Sequence, residues 1–173
     1  MAQIQKAKEA GDLFEKAISL GNEKAFAKAI EVYSEVLKLL PNDNDTFLYR
    51  NWEKAKDEIY GRRGGCYEDS EQFEKALDDY NKAISLNQKN ASNYIGRARV
   101  YVALGEIEKA NADTEKAVEL DRENACDYYF YHGQAIFKYS GNKKEAAVFY
   151  KKAAGLSGFF ADEAKAQLAD WKM

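Results

Sequence analysis

A fourteen-residue figure that returns at a fixed interval constrains this chain more than any other feature. FEKALDDYNKAISL, from Phe73 to Leu86, comes back as IEKANADTEKAVEL, from Ile107 to Leu120, an offset of 34 residues. Under that offset Ala76 falls on Ala110, Tyr80 on Thr114, Ala83 on Ala117 and Leu86 on Leu120. The same figure stands at Phe26 to Leu40, through Ala29, Tyr33, Val36 and Leu39, and at Lys144 to Leu156, through Ala146, Tyr150, Ala153 and Leu156. A repeat of this length marks stacked supersecondary units, none of which can bury its apolar face alone.

Within each copy the apolar positions are three or four residues apart, which puts them on one face of a helix. Alanine suits a place where another helix backbone comes close, and Tyr or Leu fills the gap beside it. A second helix precedes the later copies, in SNYIGRARVYVALG and DYYFYHGQAIFKYSG, and Gly105 and Gly141 allow the turn between the paired helices. One proline in 173 residues and 32% charged residues agree with long helices rather than strands and turns. Each copy is therefore predicted to be a helical hairpin in a stacked all-α array.

These residues resemble the tetratricopeptide repeat (TPR) family. Tyr94, Ala98, Tyr101, Gly105, Ala110, Ala117 and Leu120 fit its pattern in one copy, and Tyr60, Gly64, Tyr67, Ala76, Tyr80, Ala83 and Leu86 in another. Leu13, Ala17, Leu20, Ala29, Tyr33 and the turn LLPND (Leu39 to Asp43) fit in a third. The resemblance implies an all-α solenoid, a right-handed superhelix of four hairpins forming one domain over 1–173. Its repeats are expected at about 10–43, 57–90, 91–124 and 127–158, with an inserted helix extension at 44–56 and a capping helix at 159–173. The chain departs from the family where Arg63 and Arg97 occupy a slot that usually holds Leu, and where Gly133 and Gln134 stand at the small-residue position of the fourth copy.

The stretch YGRRGGCYED, from Tyr60 to Asp69, offers a different reading, a glycine-rich loop that cradles phosphate beside two arginines. Such a loop needs a preceding strand and a Gly-Lys-Ser or Gly-Lys-Thr ending, and the chain has neither here. The repeat instead assigns Gly64 to the small slot inside a helix.

In this family the first helices of successive hairpins line a concave groove that holds a segment of a partner protein. Projected here, that face carries Phe14 and Ile18, then Glu58, Gly61, Arg62 and Gly65, then Ser92, Ile95 and Arg99, and finally Tyr128, Tyr131, His132 and Tyr139. Arg62 and Arg99 are expected as anion contacts and the tyrosines as anchors, since Arg grips a carboxylate bidentately and Tyr joins apolar area to a polar tip. The candidate peptide site is thus Phe14, Arg62, Arg99, Tyr128, Tyr131, His132 and Tyr139. One subclass of the family grips chaperone C-terminal carboxylates through Lys and Asn. Here Phe14, Ile18 and Ser92 fall at those positions, so that clamp is not expected.

No catalytic, cofactor-binding or metal residue is assigned. His132 is the lone histidine, which excludes a multi-histidine metal site and weakens acid–base chemistry. Cys66 and Cys126 lie 60 residues apart and fit no metal spacing; Cys66 is expected inside a packed helix and Cys126 near a turn at the surface. The pairs Glu68/Asp69 and Asp78/Asp79 are expected on solvated faces. A net charge of −3 without a basic stripe argues against nucleic acid, and no run reaches membrane-span length. The expected function is a non-enzymatic protein–protein interaction module in the cytoplasm. Two alternatives stand beside it: a self-associating scaffold, hence a homo-oligomer, and an enzyme acting on a phosphorylated ligand through Gly61–Gly65.

Overall fold

A computed structural model describes residues 2–40 and 53–173, and every residue in it that belongs to regular secondary structure is helical. Tyr49, Trp52 and most of the 44–56 insert lie outside the described residues, as does the Pro41–Asp43 turn. The helices form two compact units, residues 1–88 and 89–173.

The first unit contains α1 (Ala2–Asn22), α2 (Phe26–Leu39), α3 (Glu53–Asp69) and α4 (Phe73–Leu86). α1 pairs with α2 and α3 with α4, and α2 also packs on α3. The second unit contains α5 (Ala91–Ala103), α6 (Ile107–Leu120), α7 (Ala125–Ser140), α8 (Lys143–Ala154) and α9 (Ala161–Asp170). There α5 pairs with α6 and α7 with α8; α5 lies along α7, and α9 covers α8. The fold class is all-α helical repeat, as the periodicity predicts.

The repeated alanines explain the pairing. Ala29, Ala76, Ala110 and Ala146 are wholly buried, as are Ala83, Ala117 and Ala153, seven residues and two turns further on than the last three. Tyr33, Tyr80 and Tyr150 fill the space between them. The leucine that closes each figure behaves differently: Leu86 and Leu156 are 42% and 40% exposed. They sit at or just past the end of the helix, where no neighbouring turn remains to cover them.

The hairpin turns share one backbone device. Lys24, Glu71, Gly105 and Gly141 all have φ between 58° and 77°, and each stands two residues before the second helix of its hairpin. Gly105 and Gly141 adopt this left-handed conformation freely, whereas Lys24 and Glu71 bear a cost of roughly 1 kcal/mol each. Beyond Gly141, Asn142 caps α8: its Oδ1 accepts from the Glu145 amide at 3.2 Å while its Nδ2 donates to the Glu145 carboxylate at 3.0 Å.

Candidate protein-binding faces

Which face of each first helix meets solvent is decided by how it is locked to its partner. In the second hairpin Arg63 donates from Nε and Nη2 to the two oxygens of Asp79, both at 2.7 Å. In the third, Arg97 grips Asp113 the same way at 2.7 and 2.8 Å. Each guanidinium is also sandwiched between tyrosines on its own helix, Arg63 between Tyr60 and Tyr67, Arg97 between Tyr94 and Tyr101, at 5.5–5.8 Å from the ring centres. Asp79 and Asp113 are 5% and 8% exposed, so both ion pairs are largely desolvated. Asp113's hydrogen bonds, the largest influence, raise the Arg97 guanidinium above its ordinary value. Asp79 therefore does not lie on a solvated face, and neither does Glu68, which is buried and accepts the Tyr80 hydroxyl at 3.2 Å.

With Arg63 turned inward, Arg62 points out. Its side chain is 44% exposed and bonded to Glu58 one turn back at 2.8 Å. An exposed pair of this kind is worth well under about 1 kcal/mol, so Glu58 yields readily to a stronger carboxylate. Phe14 is half-buried and meets Tyr33 edge-on, with ring centres 6.0 Å apart. Gly61–Gly65 lies within the continuous helix α3, so its amides serve helix hydrogen bonds rather than a phosphate loop.

In the second unit the predicted residues separate. Arg99, Tyr131 and Tyr139 are partly exposed. Burial raises the Tyr131 phenol; Asp127 and Glu163 add to this and Arg99 opposes it, so all three charges act on the ring. Tyr139 accepts from Lys138 Nζ at 2.9 Å. Tyr128 is buried instead, its hydroxyl donating to Asp121 at 2.8 Å. His132 is also buried, 1% exposed, and drops out of the binding face.

His132 has a packing role. Its Nδ1 lies 3.0 Å from the Thr114 hydroxyl, its Nε2 2.8 Å from Asn111 Oδ1, and its ring stands edge-on to Phe149 at 4.2 Å. Thr114 occupies the slot that holds Tyr33, Tyr80 and Tyr150 in the other copies, and the imidazole fills the volume the missing ring leaves. Burial, helped by Lys152 and opposed by Glu115, pushes its pKa down to about 4. A neutral ring that donates Nε2–H to Asn111 Oδ1 leaves Nδ1 to accept from Thr114, whose one hydroxyl proton is shared between Nδ1 and the Ala110 carbonyl, each at 3.0 Å.

The thiols are equally enclosed. Burial, with Asp69 adding and Arg62 opposing, pushes Cys66 up to about 11, which leaves it protonated and unreactive. Cys126, expected near the surface, is 1% exposed, because the loop after α8 crosses over it. Among the described residues no three His, Cys, Asp or Glu side chains are placed to hold a metal ion, and no helix is long and apolar enough to cross a membrane.

Two features escaped the sequence reading. The Arg–Asp clamp was detectable, since Arg63 and Asp79 both recur at the 34-residue offset as Arg97 and Asp113. Phe159, 85% exposed beside Tyr131's neighbour Phe160, is signalled only by the GFF run at the start of the capping segment.

Comparison with known proteins agrees with this geometry. Residues 58–90 and 91–124 each match a family model described as tetratricopeptide repeat. No curated protein matches the chain. Among solved structures it is similar to the C-terminal TPR-containing domain of an FK506-binding protein from Plasmodium falciparum, with 19% identity, 82% of this chain and 95% of that one covered, and a TM-score of 0.68. It is similar to MamA from Desulfovibrio magneticus, with 24% identity, coverage of 85% and 75%, and a TM-score of 0.64. The first TPR of Spaghetti (RPAP3), solved bound to an HSP90 peptide, shares 23% identity over 78% of this chain and 92% of that one, with a TM-score of 0.59. At these identities the likeness establishes the fold.

Proposed function

We propose, on the premise that this chain belongs to the tetratricopeptide repeat family, that it captures a segment of a partner protein on the exposed faces of its hairpins' first helices. The chain is a protein–protein interaction module; the finer reading names the residues. In the second unit Arg99 on α5 and Tyr131 on α7 would hold an acidic-and-apolar segment, with Tyr139 further along α7. In the first unit Arg62 would exchange its Glu58 partner for a carboxylate of the ligand, beside Phe14.

The observation that carries this reading is the side-by-side packing of α5 and α7, which brings Arg99 to act on the half-exposed Tyr131 ring. Arg and Tyr are among the residue types most enriched where binding energy concentrates. Pre-formed helices also lose little entropy on binding, so affinity comes without refolding. The enclosed histidine and the protonated, buried thiols favour a non-enzymatic role, and two unpaired thiols suit the cytoplasm.

The test is capture of partners from source-cell lysate by wild type, by Arg62→Glu and by Arg99→Glu/Tyr131→Ala, each variant first shown by circular dichroism to remain helical. A protein held by wild type and lost from either variant supports the reading. Equal capture by all three contradicts it.

A further inference from the structure

The loop between α8 and α9 presents an aromatic side chain in a way that packing within the chain does not require. Phe159 is 85% exposed, although its neighbour Phe160 stacks flat on Phe130 with ring centres 4.5 Å apart and meets Tyr131 edge-on at 5.1 Å. The loop lies close against α7. A Cβ on Gly158 would clash with the Cys126 side chain, so only glycine lets the backbone come this near the start of α7. Phe159, set against Phe160 at 4.9 Å, is therefore displayed on a packed platform.

The surroundings of the platform are acidic. Asp127 Oδ1 lies 3.7 Å from the position a Gly158 Cβ would take. Asp162 and Glu163 occupy the first turn of α9, immediately after the phenylalanines. Asp127 and Glu163 both act on the Tyr131 ring that abuts Phe160. The opposing cations are Lys165, bonded to Asp162 at 2.9 Å and acting also on the Cys126 thiol, and Arg99, which opposes Asp127 and Glu163 at the Tyr131 ring.

We propose that this loop is a docking point for a partner segment that places an apolar side chain next to lysine or arginine. The apolar group would cover Phe159, and the cation would answer Asp127 and Glu163. The proposal rests on the interaction-module reading and adjoins its site at Tyr131, but its key residue is neither Arg62, Arg99 nor Tyr131. Because Phe159 packs so little, removing its ring leaves the helices intact, and Phe159→Ser also leaves the net charge at −3. The variant thus separates a specific site from general attraction of a cationic peptide to an acidic protein.

The experiment titrates the full chain into a fluorescein-labelled peptide of alternating Lys and Leu, beside its Glu/Leu and Lys/Ser counterparts, and follows anisotropy. The Lys/Leu peptide is expected to bind best. Phe159→Ser should weaken it by about tenfold or more with an unchanged circular dichroism spectrum. Asp127→Asn/Glu163→Gln should weaken it and flatten its salt dependence. Equal binding to wild type and Phe159→Ser, equal binding of the Lys/Ser peptide, or preference for the Glu/Leu peptide would each overturn the proposal. The lysate capture by the groove variants would be untouched by any of these results.

Discussion

The third and fourth hairpins of this chain solve one packing problem in two ways. Both need the space between first and second helix filled beside a close backbone approach. In the third, Arg97 and Asp113 fill it with a bidentate ion pair flanked by Tyr94 and Tyr101. In the fourth, aligning Ala98 with Gly133 and Thr114 with Tyr150 puts His132 in the Arg97 slot and Phe149 in the Asp113 slot, and the two rings meet edge-on. What the slot demands is volume, with any polar atom placed there satisfied, and a bidentate ion pair is one means of filling it.

The largest test of that comparison removes charge from the third hairpin. Asp113→Ala strands a guanidinium that is mostly desolvated, and the loss of stability should reach roughly 3–5 kcal/mol in urea titrations. Arg97→Leu/Asp113→Leu should lose far less, because an apolar pair of similar size fills the slot the family commonly fills with leucine. A double variant as unstable as the single one would show that the ion pair itself is required.

The fourth hairpin should instead respond to pH through His132. Its folded-state pKa is about 4 against an ordinary 6.5, so between those values the unfolded chain binds more protons and stability falls as pH falls. The full effect is roughly 3 kcal/mol once pH is below both values. His132→Gln, which cannot titrate, should be less stable than wild type at pH 7 and close part of that gap near pH 4.5. A gap independent of pH would contradict the buried neutral ring.

Backbone approach distinguishes the hairpins more gently. A Cβ at Gly133 would sit 3.1 Å from the Ala146 carbonyl and 3.3 Å from the Tyr150 ring, so Gly133→Ala should cost about 1–3 kcal/mol. The same change at Gly64 meets only 3.4 Å contacts, and the third hairpin already carries Ala98 there, so Gly64→Ala should be neutral or stabilising by up to about 1 kcal/mol. Thermal midpoints of the two variants should move in different directions. The smallest effect is at the turns: Glu71→Gly, replacing a side chain at φ 58°, should stabilise by about 1 kcal/mol, and Gly105→Ala should destabilise by a similar amount.

The helices, their pairing and the buried alanine and tyrosine positions were legible in the sequence because they depend on periodicity, which one chain displays to itself through its repeats. Gly64 was likewise legible as a small slot. Interior polar chemistry was harder to read. Asp79 and Asp78 look alike in sequence, and only the rotation of α3 on α4 decides that one is buried against Arg63. His132 and Tyr128 share a predicted face with Tyr131, yet α7 packs on α5, α6, α8 and α9 at once, so little of it remains open. A projection that allots each first helix one free face fails where a helix is surrounded.

The most direct test of the binding claim is site-specific photocrosslinking. Benzoylphenylalanine would replace Glu58 or Ser92, exposed on the first helices with Arg62 and Arg99 left in place, and, as controls, Glu74 or Glu119 on the outer faces of α4 and α6. Crosslinks to a partner from the Glu58 and Ser92 positions, with none from Glu74 and Glu119, are expected if the first-helix faces bind. Crosslinks from the second-helix positions alone would contradict it and place the interaction on the opposite side of each hairpin.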